Sequence, residues 1–179
     1  MTADTTADTK IRDALARVET AFSKKPGLAR STDKTLARVE AGLKCVTRQG
    51  DYTSMIDMPA AMGGDGSAPS PGFLGRSAIA GCLAIGIKMT AARAGIPVEA
   101  VEVEIEMDWD DRGLLGMGEA PAGCLGSRLR IAVDSPAPEE AVRAMVDDAM
   151  ANSPWLSTFI EPQHVVTDIR IGAATMAED

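Results

Sequence analysis

Hydrophobic and polar residues follow two different periods in the first third of the chain. Residues 10–23 place apolar side chains three or four positions apart, which is typical of an amphipathic helix. Residues 35–48 alternate at every second position and predict a strand, with Gly42 indicating a bulge. A turn signal at residues 49–51 leads into a further strand over residues 52–58. The chain is therefore expected to begin with a helix that is followed by a β-hairpin.

A long apolar segment occupies the middle of the chain. Residues 59–72 are dense in Gly and Pro and predict a loop. Residues 73–95 then predict a helix that is apolar on nearly every side, rich in Ala and Gly, and ended by Gly95. Because a helix without a polar face has to be buried, we expect it to be the central helix of the fold. A second copy of the chain is a candidate for covering part of it.

Strands and a helix alternate in the remaining half. Residues 98–111 carry the strongest strand signal, with apolar side chains on one face and acidic side chains on the other. After a glycine-rich turn, residues 124–133 alternate again, and Ser135 is the candidate cap of a helix that runs to about Asn152. The closing elements are a short apolar segment and a last strand, at residues 155–160 and 165–171.

This order of elements predicts an α+β fold, in which helices cover one face of an antiparallel sheet. We divide the chain into two parts. Residues 1–34 comprise a disordered tail over residues 1–9 and the first helix, and residues 35–179 form the main domain.

Composition narrows the class of protein. The 179-residue chain carries a formal net charge of -8 and only 3% aromatic residues. This charge is opposite to the basic surface of a nucleic-acid-binding protein, and few side chains are available to stack on bases. The same acidity disfavours anionic membrane surfaces. Because the N-terminus has neither the basic start nor the apolar run of a secretory signal, we predict a cytoplasmic protein.

The cysteine and histidine content limits the chemistry. Cys45, Cys82 and Cys124 are an odd number of cysteines, which does not suggest a disulfide framework and agrees with a reducing compartment. Since His164 is the single histidine, a structural zinc site or a His-based triad is disfavoured, and we predict neither a metal nor a cofactor. Cys82 lies about ten residues inside the predicted central helix, among uncharged neighbours. Taken alone, these residues favour a buried packing thiol.

Several short motifs occur in a fixed order within residues 35–171. They are Asp57-Met58-Pro59, Gly63-Gly64-Asp65-Gly66, Pro69-Ser70-Pro71, Cys82, Ala91-Ala92-Arg93-Ala94-Gly95-Ile96, Asp134-Ser135 and Ser153-Pro154. With Cys82 eleven residues after Pro71, this ordered set resembles the OsmC/Ohr-like proteins.

The resemblance implies an intertwined homodimer, in which antiparallel sheets wrap around two long central helices. It also implies thiol-dependent reduction of hydroperoxides in the response to oxidative stress, with Cys82 as the peroxidatic residue at the subunit interface. Two features depart from the family pattern. Ser153 stands at the position of the resolving cysteine, and Gly72 and Phe73 stand where a glutamate would orient an arginine.

These departures leave two hypotheses open. The first is a hydroperoxide reductase of the one-cysteine type, which uses Cys82 and is recycled by an external thiol. The alternative is a non-catalytic dimer of the same fold, which binds a small hydrophobic molecule in an interface pocket. The candidate pocket residues are Met62, Trp155 and Phe159. The candidate activating arginines of the enzyme are Arg30, Arg38 and Arg48, and the residues do not select among them.

Overall fold

The computed structural model describes residues 5–172 of the chain. Its helices are α1 (Thr5–Lys24), α2 (Pro71–Ala94), α3 (Asp111–Leu114), α4 (Glu139–Ala151) and α5 (Pro154–Ile160). Its strands are β1 (Leu36–Val39), β2 (Cys45–Gln49), β3 (Tyr52–Ile56), β4 (Ala100–Asp108) and β5 (Gly126–Asp134). Helices and antiparallel strands are mixed along the chain around one long helix, which confirms the predicted α+β class.

The first three strands form one antiparallel sheet in the order β1-β2-β3. The predicted hairpin turn is confirmed, because Gly50 and Asp51 connect β2 to β3. The prediction of a single bulged strand over residues 35–48 is wrong. Gly42 has a φ of 71°, a left-handed conformation that glycine adopts without steric cost, and the chain reverses there between β1 and β2.

The second sheet pairs β4 with β5, and ion pairs cover its outer face. Arg130 Nη1 lies 2.6 Å from carboxylate oxygens of both Glu104 and Glu106, while Arg128 bonds Glu106 and Asp108. Hydrogen bonds from Arg128, and then from Arg130, hold the pKa of Glu106 below its ordinary value. The acidic face that the sequence predicts is therefore paired with arginines of the facing strand.

One face of α2 lies at the centre of the hydrophobic core. Leu83 and Ile87 are fully buried, and they pack with Met145 of α4 and with the apolar inner face of β4 and β5. On the opposite face, Ile85 is 63% exposed and Met89 is 38% exposed. The expectation that this helix is buried on every side is therefore wrong for a single chain. Among the residues that the structure describes, α2 is also the one helix long and apolar enough to cross a membrane, by length and composition only.

Helix α1 packs along α2 and is longer than predicted. A carboxylate oxygen of Asp8 lies 3.0 Å from the ammonium nitrogen of Lys88 on α2, so an ion pair holds the beginning of α1 against the central helix. Residues 5–9, expected to be part of a disordered tail, accordingly form the first turns of α1. Residues 1–4 of that predicted tail lie outside the described residues.

Three details of the second half differ from the predictions. Ser135 does not cap a helix, because α4 begins only at Glu139 and the Ser135 oxygen accepts from the Ala137 N–H, which lies before that helix. The strand β4 is shorter than residues 98–111, since the chain turns into α3 after Asp108. Residues 165–171 form no strand, because no described strand pairs with them, and their apolar side chains are exposed.

A buried aspartate organises the loop that leads into α2. Asp57 is 2% exposed, and its Oδ2 accepts hydrogen bonds from the backbone N–H and the hydroxyl of Ser67, at 2.9 and 2.8 Å. Its Oδ1 accepts from the backbone N–H of Met58 at 2.8 Å. The loop closes so tightly that a Cβ at Gly64 would lie 2.0 Å from the Met58 carbonyl oxygen. The fixed loop brings Ser70 to the N-terminus of α2, which its hydroxyl caps.

We expect the ionised form of Asp57 to stabilise the fold above mildly acidic pH. Hydrogen bonds from the Ser67 N–H and then the Ser67 hydroxyl hold the pKa of Asp57 below its ordinary value, and they outweigh the effect of burial. A lowered pKa in the folded state means that this stabilisation is complete above about pH 4–5 and is lost as the pH falls through the lowered pKa. In thermal unfolding between neutral and acidic pH, Asp57→Asn should lower the Tm most at neutral pH. The difference in Tm between the variant and the wild-type protein should become smaller as the pH falls.

The matched control is Asp65→Asn, which changes an exposed carboxylate of the same loop. Its Tm should follow that of the wild-type protein across the pH range. A constant difference between Asp57→Asn and the wild-type protein at every pH would contradict the electrostatic explanation.

Candidate active site

Cys82 lies in the middle of α2 and is half-buried as a residue. Cys82 directly precedes the fully buried Leu83, so it sits at the edge of the face that packs into the core. Helix α5 packs against α2, and the residue before α5 contributes a polar group that contacts the thiol. The surroundings of Cys82 are therefore set by two helices that are far apart in sequence.

Ser153 supplies that polar group. It is 3% exposed and occupies the position before the first residue of α5. Its Oγ lies 3.9 Å from the Sγ of Cys82, across a sequence separation of 71 residues. The structure therefore brings together the two positions that the resemblance assigned to the peroxidatic and resolving residues, and a hydroxyl faces the thiol where the family pattern has a second thiol.

The candidate activating arginines lie elsewhere in the chain. Arg30 is exposed between α1 and β1, and Arg48 is exposed on β2. Arg38, on β1, pairs with Glu40 at 3.0 Å. Within residues 5–172, no guanidinium or carboxylate forms a hydrogen bond with Cys82, so its polar contact in a single chain is the Ser153 hydroxyl.

The N-terminus of α2 carries a positive side chain where the resemblance places a glutamate. Gly72 and Phe73 supply no carboxylate there. A Cβ built on Gly72 would lie 3.2 Å from Nη1 of Arg76, so the guanidinium covers this turn of the helix. The sequence reasoning missed this contact, although the four-residue spacing of Gly72 and Arg76 places them on one helix face.

The candidate pocket residues are not enclosed within one chain. Met62 is half-buried in the loop before α2. Trp155 and Phe159 lie one turn apart on α5 and are 54% and 41% exposed, whereas Leu156 between them is buried. A pocket lined by these residues would therefore need a second chain to enclose it, and it stays a proposal.

The other two cysteines belong to different elements. Cys45 lies on β2 opposite Ile56 of β3, and the Cys124 thiol donates a hydrogen bond to the Gly126 carbonyl at 2.9 Å. All three cysteines are free. Within residues 5–172, no three His, Cys, Asp or Glu side chains are grouped so that they could hold a metal ion.

The arrangement of helices and sheets defines an α+β protein with a long central helix, and that helix carries the half-buried Cys82. Comparison with family models identifies the family, since the model described as OsmC-like protein matches residues 64–168. The chain belongs to this OsmC-like family. A comparison with curated proteins finds no match.

Solved structures share the fold at low sequence identity. An OsmC-like protein from Mycoplasma pneumoniae aligns with a TM-score of 0.61 and 14% identity, over 72% of this chain and 86% of that one. An organic hydroperoxide resistance protein from Legionella pneumophila, described as a predicted redox protein, aligns with a TM-score of 0.56 and 21% identity. The alignment covers 73% of this chain and 90% of that one. An organic hydroperoxide resistance protein from Elizabethkingia anophelis, with thiocyanate bound, aligns with a TM-score of 0.55 and 15% identity. The alignment covers 73% of this chain and 89% of that one.

The contact between Cys82 and Ser153 predicts that a disulfide forms when serine is replaced by cysteine. The two side-chain atoms are 3.9 Å apart, and side-chain rotation has to close this separation to the S–S distance of about 2.05 Å. In Ser153→Cys, mild oxidation with diamide should link Cys82 to position 153, as read by peptide mapping without reductant.

Ser157→Cys is the matched control, because position 157 lies one turn further along α5. It should form no such link. Equal crosslinking at both positions would show that α5 moves freely over α2.

Proposed function

We propose that the protein is a hydroperoxide reductase of the one-cysteine type, with Cys82 as its peroxidatic residue. The observation that carries this proposal is the approach of Cys82 to Ser153, the position of the resolving residue in the resemblance. Cys82 is not fully buried, and the hydroxyl that its sulfur faces provides a polar neighbour for the charged form of the thiol.

The first step is transfer of one oxygen atom to sulfur. The Cys82 thiolate attacks the terminal oxygen of the hydroperoxide, so that an S–O bond forms while the O–O bond breaks. The leaving alkoxide takes up a proton and departs as an alcohol. The sulfur is oxidised by two electrons to a sulfenic acid, and the hydroperoxide is reduced by the same two electrons.

The second stage requires a thiol from outside the chain. Serine cannot form a disulfide, and Cys45 and Cys124 lie on other elements. An external thiol therefore attacks the Cys82 sulfur, releases water and forms a mixed disulfide. A second external thiol then restores the Cys82 thiol and leaves as a disulfide of the reductant. A reducing cytoplasm, which the sequence favours, would supply such thiols.

Replacement of Cys82 should abolish turnover. With tert-butyl hydroperoxide as oxidant and dithiothreitol as reductant, Cys82→Ser should consume peroxide only at the background rate, because no other described cysteine faces the Ser153 hydroxyl. Cys45→Ser and Cys124→Ser should keep wild-type turnover. Peroxide consumption measures complete turnover, and trapping by dimedone, which reacts with sulfenic acids, reports the first stage alone.

The same assay separates the two hypotheses. If folded wild-type protein forms no dimedone adduct at Cys82 and consumes no peroxide, the enzymatic proposal fails. The alternative, an OsmC-like dimer that binds a small hydrophobic molecule near Met62, Trp155 and Phe159, would then be preferred. The exposure of Trp155 and Phe159 on α5 is the observation that favours it.

A homodimer is the assembly that we propose for either function. Only 17% of the apolar window of α2 is buried within one chain, and both faces of the sheet β1–β3 are largely exposed. That sheet makes no more than marginal contact with α2 of its own chain. A second copy would cover the exposed face of α2 and give the sheet a surface to pack on, as extensive apolar interfaces do in obligate dimers.

A charge on the exposed face of α2 should therefore separate the subunits. Ile85→Asp places a carboxylate in the proposed interface, and we expect the dimer to become a monomer in sedimentation velocity. Leu114→Asp is the matched control, because Ile85 and Leu114 are both 63% exposed. The control should remain dimeric, and a monomeric wild-type protein would contradict the proposal.

A further inference from the structure

The hydroxyl of Ser153 is a buried polar group whose bonding partner is a sulfur. Ser153 is 3% exposed, and the hydrogen bond that its Oγ makes is the 3.9 Å contact with the Cys82 Sγ. A buried hydroxyl without a partner is costly, so the geometry requires the thiol to serve as that partner.

Ser153 stands at the N-terminus of α5, where a different hydrogen bond would be expected of its hydroxyl. A serine at this position normally turns its hydroxyl toward the free N–H groups of the first helical turn. Here the side chain makes no capping bond, and the hydroxyl is directed at α2 instead. The backbone of Ser153 is held on both sides, since its N–H donates to the Met150 carbonyl and its carbonyl accepts from the Ser157 N–H.

A hydroxyl can assist the charged forms of the sulfur that the proposed reaction uses. Either atom can be the donor when Cys82 is a neutral thiol. Once the thiol loses its proton, only the hydroxyl can donate, and hydrogen bonds to charged groups are the stronger kind. The same donor is within reach of an oxygen added to the sulfur. A second thiol at this position would instead consume the sulfenic acid by forming a disulfide.

We propose that Ser153 is a catalytic hydrogen-bond donor to the Cys82 sulfur, which favours the thiolate and keeps the sulfenic acid available for an external thiol. This inference rests on the proposed function, because it assigns Ser153 a part in the same reaction. It goes beyond that function, because the residue at the position of the missing resolving cysteine takes part in the reaction. No atom is transferred to or from Ser153 at any step, and its hydroxyl proton stays on oxygen.

The test measures the reactivity of Cys82 without using turnover. Alkylation by iodoacetamide is followed on the peptide that contains Cys82, for the wild-type protein, Ser153→Ala and Ser153→Thr. At neutral pH, Ser153→Ala should slow alkylation about tenfold, the effect of one hydrogen bond to a charged group. Ser153→Thr keeps a hydroxyl and should restore most of the rate. At alkaline pH, where thiols ionise without assistance, the difference should disappear.

Ser157→Ala is the matched control, because it removes a hydroxyl from the same helix one turn away and should leave alkylation unchanged at both pH values. Slower alkylation of Ser153→Ala at every pH would indicate a change of access and would overturn the proposal. So would alkylation at the wild-type rate. Far-ultraviolet circular dichroism establishes that each variant is folded, and if Ser153→Ala is not, Ser153→Gly provides the same loss of hydroxyl.

Trapping with dimedone distinguishes this inference from the function on which it rests. After one addition of hydroperoxide, the wild-type protein should give a lasting adduct at Cys82, whereas Ser153→Cys should give a disulfide and little adduct. If the wild-type protein forms no adduct, the proposed function fails. If it forms one and Ser153→Ala forms it at the same rate, only the role of Ser153 fails.

Discussion

The burial of one face of α2 is the constraint on which the rest of the structure depends. Leu83 and Ile87 remove that face from water, and α4, β4 and β5 gather around it. Fully burying such a side chain contributes about 1.5–3 kcal/mol, so a few positions on one helix determine where the other elements can pack. Because Cys82 directly precedes Leu83, the packing that stabilises the core also sets the place of the sulfur. The position of the candidate site is thus a consequence of the core.

Two sets of polar interactions determine where α2 begins and how it is held. The carboxylate of Asp57 orders the preceding loop, and Ser70 caps the first turn. Farther along, the ion pair of Lys88 with Asp8 brings in a helix that precedes the matched family region. Polar groups therefore fix the start of an element whose middle is almost entirely apolar, and join it to α1 at Lys88.

The order of helices and strands is predicted better from the sequence than the edges of these elements are. The pairing of the Cys82 and Ser153 positions comes from the family resemblance, and the spacing of the two residues along the chain does not by itself show that they meet. The contact of Arg76 with Gly72 depends on side-chain direction at a helix start, which a motif does not carry. The turn at Gly42 was mistaken for a bulge, since glycine serves both features equally well. Residues 165–171 alternate like a strand, but a strand requires a neighbour, and pairing is not a property of the segment alone.

The uncapped start of α5 has a consequence for motion. A helix of seven residues is marginal in water, and α5 forgoes the stabilisation of about 1 kcal/mol that a capping side chain would give. Leu156, buried in the middle of α5, anchors the helix by packing. Short helices held by few contacts open locally at a small free-energy cost. The hydroxyl that contacts Cys82 therefore stands at the start of an element suited to fray, and directing the Ser153 side chain toward the thiol leaves that start without a cap.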